Sequence, residues 1–215
     1  IWDKLSVSRP DDTEEIRRKR QMLANAIILT GQGIPFLHAG QEFFRTKDGI
    51  RDSFNAGEVV NRLDYERAET EHAGVEYVKG LIALRRQYPM FRLANAAMIK
   101  KHLRFLEEGE GVIAFELKRT YEGYVERQRV YHNATDEDIT IELPSGEFEV
   151  LVESGAVKLH APRLHEEKQL VVPALTTTVI AERKADYKKY AVAGGAALTI
   201  IGLLYAANKR RKKTD

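Results

Sequence analysis

The stretch GIPFLHAGQE, from Gly33 to Glu42, decides how the rest of the sequence is interpreted. Its apolar residues lie between two glycines, and polar residues and a long loop follow them directly. A buried strand that delivers its C-terminal end to a functional surface has this pattern, and in parallel α/β barrels that end of the strands carries the site. We therefore predict a buried strand from Ile34 to His38.

The residues before this strand predict a helix that starts near Asp11 to Thr13. Acidic side chains crowd its first turn, where they favour the helix dipole, and Gly31 and Gly33 end it. Arg17 to Arg20 form a basic cluster that we expect on a solvated face. The apolar residues recur at spacings of three, four and seven and predict one buried face: Ile16, Leu23, Ala24, Ile27 and Ile28.

A long loop and a second helix follow the predicted strand. Residues 45–61 include few apolar side chains, and loops of this length in compact domains are usually functional or disordered. The helix is predicted from His72 to Tyr88, because Pro89 stops it. Its expected buried stripe is Val75, Val78, Leu81, Ile82 and Leu84.

After Pro89 the sequence changes from helical spacing to short β-rich runs. Turn signals such as Pro144-Ser145-Gly146 separate these runs, and repeated short strands at this spacing are typical of an antiparallel sandwich. We place a domain boundary near Phe91 to Ala97. The predicted strands are Val112 to Leu117, Arg129 to His132, Ile139 to Leu143, Phe148 to Val152 and Thr176 to Ala181.

The composition excludes several kinds of function. The chain of 215 residues has a net charge of +2, and this near balance gives the body no bias toward nucleic acid or anionic substrates. There are no cysteines, which excludes disulfides, thiolate metal sites and a cysteine nucleophile. We expect no metal, no cofactor and no nucleic-acid partner.

The C-terminal tail differs from the body of the chain. An uncharged run of 18 residues, Tyr190 to Ala207, is followed by a basic cluster, Lys209 to Lys213. The run just exceeds the lower limit of about 17 residues for crossing a bilayer, and the cluster fits a cytoplasmic flank. We predict a membrane anchor and a cell-surface location. The alternatives are a helix packed on the sandwich, a disordered basic tail, and a cytoplasmic location.

The sequence from Gly33 to Glu42 resembles the eighth barrel strand of the α-amylase superfamily of glycoside hydrolases. Together with IWDKLS at the start and DSFNAGEVVNRLDY from Asp52 to Tyr65, it looks like type I pullulanases, the α-1,6 debranching enzymes. The resemblance is close over residues 1–90 and looser over 91–182. It implies a chain that is α/β plus all-β, and with the tail we expect three parts. Residues 1–91 would be the last strand and helices of a (β/α)8 barrel, and residues 92–183 an antiparallel β-sandwich. The third part, residues 184–215, is the membrane-anchor helix with a basic tail predicted above, and it is not part of the general family pattern.

The resemblance also bears on catalysis. The family uses a retaining mechanism with an Asp nucleophile, a Glu acid/base and a second, stabilising Asp. The stabilising Asp lies in a His-Asp-Asn motif just before the WDKL segment, and the other two lie further upstream. The resemblance therefore implies that all three precede Ile1. We assign no catalytic residue and expect the chain by itself to be inactive.

Glu58 and Arg62 are the candidate substrate-binding residues. They match an acidic-x-x-x-Arg pattern that, in related enzymes, hydrogen-bonds a glucose unit in a donor-side subsite, although the family commonly has Asp in place of Glu58. A carboxylate accepts from vicinal hydroxyls and a guanidinium donates in a fixed fork. The alternative is an ordinary i,i+4 ion pair on a helical turn. Phe54 and Tyr65 would either stack on sugar rings or pack back on the barrel.

Two functions remain open. The first is part of a debranching hydrolase acting on pullulan, starch or glycogen-like glucans. The second is a non-catalytic module that binds α-glucan and is anchored to a membrane through residues 190–207.

We also interpret His38 and Glu42 as structural, because nothing supplies further ligands at zinc spacing.

Overall fold

A seven-stranded antiparallel sheet lies between helices on one face and a two-stranded sheet on the other. The computed structural model describes residues 1–121 and 124–182. The helices are α1 (Trp2–Ser8), α2 (Glu14–Thr30), α3 (Glu58–Asn61), α4 (Tyr65–Thr70), α5 (His72–Gln87) and α6 (Ala96–His102). The strands are β1 (Leu103–Leu106), β2 (Val112–Tyr121), β3 (Tyr124–Asn133), β4 (Ile139–Glu142), β5 (Phe148–Glu153), β6 (Ala156–Val157), β7 (Arg163–His165), β8 (Gln169–Val172) and β9 (Thr176–Glu182).

The larger sheet has the strand order β1-β2-β3-β9-β5-β6, and β7 also pairs with β5. Strands β4 and β8 form the small sheet. Every pairing among the described strands is antiparallel. The five predicted strands correspond to β2, β3, β4, β5 and β9 and are confirmed, except that β4 ends one residue before the predicted Leu143. The other strands were missed, because they are short or rich in charged side chains and show no clear alternation.

The two faces of the larger sheet bury different cores. Successive side chains of a strand point to opposite faces, so Phe115 and Val130 pack under the helices while their neighbours Ala114 and Tyr131 pack under the small sheet. A register shift between Val150 and Val152 marks a bulge in β5. Consequently Leu151 and Val152 both belong to the helix-side core.

The segment Ile34 to His38 forms no strand, so the prediction of a buried strand there is wrong for the described residues. Ile34 is 97% exposed and Phe36 is 80% exposed. A strand exists through hydrogen bonds to a neighbour, and the described residues place no strand beside this segment. Leu37 is partly buried and packs against the helix-side core.

The two long helices have the predicted bounds to within one or two residues, but the buried face of α2 differs from the predicted one. Helix α2 begins at Glu14, where the Thr13 side chain accepts from the backbone N–H of Ile16 at 3.3 Å. Its buried face includes Ala26 and Leu29, whereas Ile27 is exposed. The face is rotated because polar residues of α2 are buried through hydrogen bonds to other elements, which periodicity of apolar residues does not show. In α5 the predicted residues Val78, Leu81 and Leu84 are buried, whereas Ile82 is exposed.

The helices pack directly on the sheet through one shared core. Leu81, Leu84 and Phe91 contribute from the helical region, and Leu117 and Val179 from the strands. The domain ranges 1–91 and 92–183 stay predictions.

The predicted anchor, residues 190–207 within 184–215, lies outside the described residues. Among the residues that are described, none of the helices combines the length and the apolar character needed to cross a bilayer.

Candidate functional site

Glu58 and Arg62 lie at the two ends of α3. The backbone N–H of Arg62 donates to the carbonyl of Glu58 at 2.8 Å, which closes the single turn. Both residues are exposed, and in the described part of the chain neither side chain forms an ion pair or a hydrogen bond. The i,i+4 spacing is therefore present without the ion pair, and both charged groups face solvent.

Asn61, at the end of α3, holds this helix on the preceding loop. Its side-chain Nδ2 donates to the carbonyls of Ser53 at 2.7 Å and Gly57 at 3.1 Å. Lys47 Nζ donates to Asn61 Oδ1 at 3.0 Å and to Ser53 Oγ at 2.7 Å, and Arg45 donates to the Asn61 carbonyl. These bonds fix the position from which Glu58 and Arg62 project.

A left-handed turn at Gly40 sets the start of the same loop. Gly40 has φ 88°, and a Cβ there would lie 2.7 Å from Cδ of Arg45, so only glycine has both the conformation and the space. Arg45 crosses over this position and donates to the carbonyl of Ala39 at 3.2 Å. The chain can therefore fold back tightly after the exposed segment Ile34 to His38.

Gln41, which follows this turn, connects the loop to α2 through buried amides. Gln21 Nε2 donates to the Gln41 carbonyl at 2.6 Å, and Gln41 Nε2 donates to Asn25 Oδ1 at 2.5 Å. Most buried polar groups in folded proteins are paired in this way. Gln21 and Asn25 are the polar residues that rotate the buried face of α2.

Trp2 is surrounded by three guanidinium groups and one aromatic ring. The Cζ atoms of Arg17, Arg18 and Arg67 lie 5.3, 5.9 and 5.6 Å from its ring centroid, and the Phe44 ring centroid lies 5.4 Å away. Cations over an indole face are attracted by its quadrupole. The cluster ties α1, α2 and α4 to the loop.

In the basic cluster Arg17 to Arg20, Lys19 is exposed, but the prediction of a solvated face is wrong for Arg17, Arg18 and Arg20. Arg18 pairs with Glu71 of the α4–α5 junction at 2.5 Å, and this hydrogen bond raises the pKa of the guanidinium above its usual value. Arg20 pairs with Asp12 at 2.8 Å and with Asp136 at 2.9 Å. The charges serve contacts between elements that are distant in sequence, which a local charge pattern does not reveal.

Asp3 clamps α1 to the loop. Its carboxylate accepts from Thr46 Oγ1 at 2.6 Å and from the backbone N–H of Lys47 at 2.8 Å. Thr46 Oγ1 in turn accepts from the backbone N–H of Asp48 at 2.9 Å. The loop is therefore ordered at its N-terminal half by α1 and at its C-terminal half by Asn61.

Arg85 of α5 holds the end of α2, just before the exposed segment. Its guanidinium is buried and donates to the carbonyls of Leu29 at 3.2 Å, Gly31 at 2.7 Å and Gly33 at 2.5 Å. These carbonyls would otherwise be unpaired at the helix terminus. Burial lowers the pKa of Arg85, and the nearby cation of Arg92 lowers it further.

The remaining candidate residues have mixed outcomes. Partial burial lowers the pKa of His38, as do the cations of Arg45 and Lys47. Residues 1–121 and 124–182 include no group of three or more His, Cys, Asp or Glu that could hold a metal ion. Phe54 is 82% exposed and Tyr65 is 69% exposed, so neither ring packs back on the fold, and stacking on sugars stays a prediction.

Sequence reasoning missed the residues that build the site's scaffold, namely Asn61, Lys47, Asp3 and Trp2. The segments that carry the resemblance contain three of them, Asn61, Asp3 and Trp2, which is the signal that was available. Their roles depend on contacts across many residues of sequence, so no spacing rule singles them out.

Comparison with known proteins gives consistent matches. Residues 99–156 match a family model described as "Pullulanase, all-beta domain". The chain is similar to the pullulanase of Bacillus subtilis (strain 168), with 42% identity over 148 residues that cover 67% of this chain and 20% of the relative. It spans about a fifth of the length of the curated relatives that it matches.

Solved structures agree with these sequence matches. The pullulanase from Bacillus acidopullulyticus superposes with a TM-score of 0.78 and 34% identity, covering 84% of this chain and 22% of that one. The type I pullulanase from Bacillus subtilis str. 168, complexed with maltose, gives a TM-score of 0.77 and 35% identity, covering 84% of this chain and 25% of that one. The fold described above is therefore one found in solved pullulanases.

Proposed function

This chain belongs to the pullulanase family, and we propose that it forms the C-terminal part of a debranching glycoside hydrolase. The enzyme would cleave α-1,6-glucosidic bonds of pullulan, starch or glycogen-like glucans by a retaining mechanism. The proposal rests on the 42% identity to a pullulanase over 148 residues. We assign residues 1–91 to the end of a (β/α)8 barrel and residues 92–183 to the β-sandwich.

Within this function, Glu58 and Arg62 bind one glucose unit of the glucan. The Glu58 carboxylate accepts from two sugar hydroxyls, and the Arg62 guanidinium donates to a hydroxyl or ring oxygen. Both side chains are exposed and free of ion pairs among the described residues, so binding breaks no existing contact. The hydrogen bonds around Asn61 keep the two groups in place, which reduces the entropy cost of binding.

We assign none of the three catalytic carboxylates to residues of this chain. The geometry around Glu58 and Arg62 supplies binding and orientation, not a pair of carboxyl groups flanking a glycosidic bond. We therefore expect the 215-residue chain to bind glucan without hydrolysing it. Release of reducing sugar from pullulan by the pure chain would contradict this assignment.

The binding role can be tested by titrating the full chain with maltotetraose in a calorimeter. We expect Glu58→Gln and Arg62→Gln each to lower the affinity about tenfold, which corresponds to about 1.4 kcal/mol. Glu69→Gln and Arg51→Gln are matched controls, because both residues are exposed and lie outside the proposed contact. Equal affinities in all four variants would exclude Glu58 and Arg62 as the binding pair.

A second function is a non-catalytic glucan-binding module attached to a membrane at the cell surface. The uncharged run Tyr190 to Ala207 favours it. Flotation of the full chain with lipid vesicles tests the anchor, and Leu198→Arg combined with Leu203→Arg should abolish flotation because charges in the bilayer centre are costly. A wild-type chain that stays with the soluble fraction would exclude a membrane anchor.

A further inference from the structure

The sheet face under β4 and β8 is apolar at one end and charged at the other. Ala114 of β2 lies in the apolar core of that face. Because alternate residues share a face, Glu116, Lys118 and Thr120 continue the same row of side chains. Lys118 and Thr120 are exposed, so the small sheet does not cover this end.

A cleft of about 660 Å³ opens beside this end of the face, between α6 and β2. We call it the basic cleft and define it by the lining residues that matter here: Lys100, Lys101, Arg104, Glu116, Lys118 and Thr120. Arg104 of β1 lies directly opposite Glu116 of β2 in the register of the two strands. The ring Nδ1–H of His102 donates to the carbonyl of Lys118 at 2.8 Å and fixes the end of α6 against the sheet.

Among the described residues, Glu116 is the one acidic side chain that lines the basic cleft, and arginines of the neighbouring strand β3 already neutralise it. Glu116 Oε2 accepts from Arg129 Nε at 2.9 Å, and Arg129 Nη2 lies 2.8 Å from the same oxygen as an ion pair. Arg127 Nε lies 3.3 Å from the same oxygen. The cations of the cleft are therefore not balanced by this carboxylate.

The four cations of the basic cleft have no ion-pair partner among the described residues. Lys100 and Lys101 lie in the last turn of α6, where they interact favourably with the helix dipole. Arg104 and Lys118 lie on strands and have no such role. The cluster therefore holds more positive charge than the local structure needs, in a chain whose overall charge is only +2.

We propose that the basic cleft binds a phosphate monoester carried on a glucose unit, either as a free sugar phosphate or within a phosphorylated glucan. Several converging cations suit a phosphate group, which is close to doubly charged at neutral pH, and the Arg104 guanidinium can bind two of its oxygens at once. The Thr120 hydroxyl and the free lone pairs of Glu116 are the partners for sugar hydroxyls. The choice of glucose rests on the proposed function.

The test titrates the full chain with glucose 6-phosphate at low ionic strength, with glucose and inorganic phosphate as reference ligands. Glucose 6-phosphate should bind at least about tenfold more tightly than either reference, and its affinity should fall as salt is added. The double variant Arg104→Gln/Lys118→Gln should lose at least about tenfold in affinity. The double variant Lys158→Gln/Lys168→Gln is the matched control, because it removes the same charge at exposed positions outside the cleft.

Equal binding by the two double variants, with both shown to be folded by circular dichroism, would overturn the proposal. So would inorganic phosphate binding as tightly as glucose 6-phosphate, since the site would then recognise any anion. Electrophoresis through gels containing phosphorylated or dephosphorylated glucan separates the two sources of the ligand. Retardation by phosphorylated glucan alone supports the polymer, and unchanged mobility beside tight glucose 6-phosphate binding supports the free sugar.

Failure of this proposal and failure of the proposed function are distinguishable. Arg62→Gln should weaken maltotetraose binding and leave glucose 6-phosphate binding unchanged, whereas the Arg104→Gln/Lys118→Gln variant should do the reverse. A loss of both ligands in either variant would overturn the separation of the two sites.

Discussion

The sheet and the region that carries Glu58 and Arg62 are stabilised in different ways. The sheet buries apolar side chains on both faces, with Leu151 and Val130 fully inaccessible. The region around Trp2 is instead held by guanidinium–aromatic contacts, carboxylate clamps and buried amides, and beside it Ile34 and Phe36 are exposed. The sheet contributes stability through burial, whereas the site region is positioned by directional polar contacts that leave its binding groups free.

The largest difference in the free energy of unfolding should appear between a buried aliphatic residue of the sheet and an exposed one near the site. Leu151→Ala should lower the free energy of unfolding by about 4 kcal/mol, because it leaves a cavity in the sheet core. Ile34→Ala should change it by less than about 0.5 kcal/mol, because the side chain contacts little. Urea unfolding followed by circular dichroism measures both. A large loss in the Ile34 variant would show that the segment is packed as tightly as the sheet.

A smaller effect is expected where polar contacts replace apolar burial. Arg85→Met should lower the free energy of unfolding by about 3 kcal/mol, because three carbonyls at the end of α2 lose their donor while the aliphatic stem is kept. Arg86→Met is the control, since Arg86 is the exposed neighbour on the same helix. Denaturant titrations measure the free energy of unfolding of both variants. Similar losses in Arg85→Met and Arg86→Met would mean that the three carbonyls find other partners.

The smallest effect should be a pH dependence at the contact between α2 and the sheet. His132 is buried between Thr30 Oγ1 at 3.2 Å and Thr177 Oγ1 at 2.8 Å, and burial lowers its pKa to about 4. Because the hydroxyl of Thr30 donates to the carbonyl of Ala26, it accepts from Nε2 of a neutral ring. Because the ring is buried, the folded state resists protonation of His132.

The unfolded chain, with an ordinary histidine pKa of about 6.5, binds this proton more readily than the folded one. Stability from His132 is thus complete above about pH 6.5 and is lost as the pH falls toward 4, with about 2 kcal/mol lost between pH 7 and pH 5. His132→Gln should flatten this part of the pH profile of unfolding, and His160→Gln, at an exposed position, should leave it unchanged. If the pH profiles of unfolding run parallel in the unmodified chain, His132→Gln and His160→Gln, the His132 ring is not buried in its neutral form.

The strands and the two long helices could be predicted because local patterns specify them. Alternation and turn residues mark β2 and β5, and Thr13, acidic side chains and Pro89 mark the ends of α2 and α5. The orientation of α2 could not be predicted in this way. Its apolar spacing favours Ile27, but Gln21 and Asn25 are buried because Gln41 supplies partners from a distant part of the chain.

The candidate site, like α2, could be predicted from the sequence only in part. The residue pattern singled out Glu58 and Arg62, and the spacing correctly placed them one helical turn apart. It did not show that the ion pair is absent, or that Asn61, Lys47 and Asp3 hold the loop.

The composition gave no bias toward anions, and yet the fold brings four cations together at one cleft. Net charge sums over the whole chain and carries no information about where charges meet.

By itself, the sequence determined the order and type of the main elements and the resemblance to a family, since these depend on neighbours within a few residues. The tertiary structure alone decided which face of α2 is buried, that Arg17, Arg18 and Arg20 make contacts outside α2, and that Ile34 to His38 lies open. The physical reason is that pairing of strands, burial of polar groups and the balance of charge are all satisfied by partners far away in the chain.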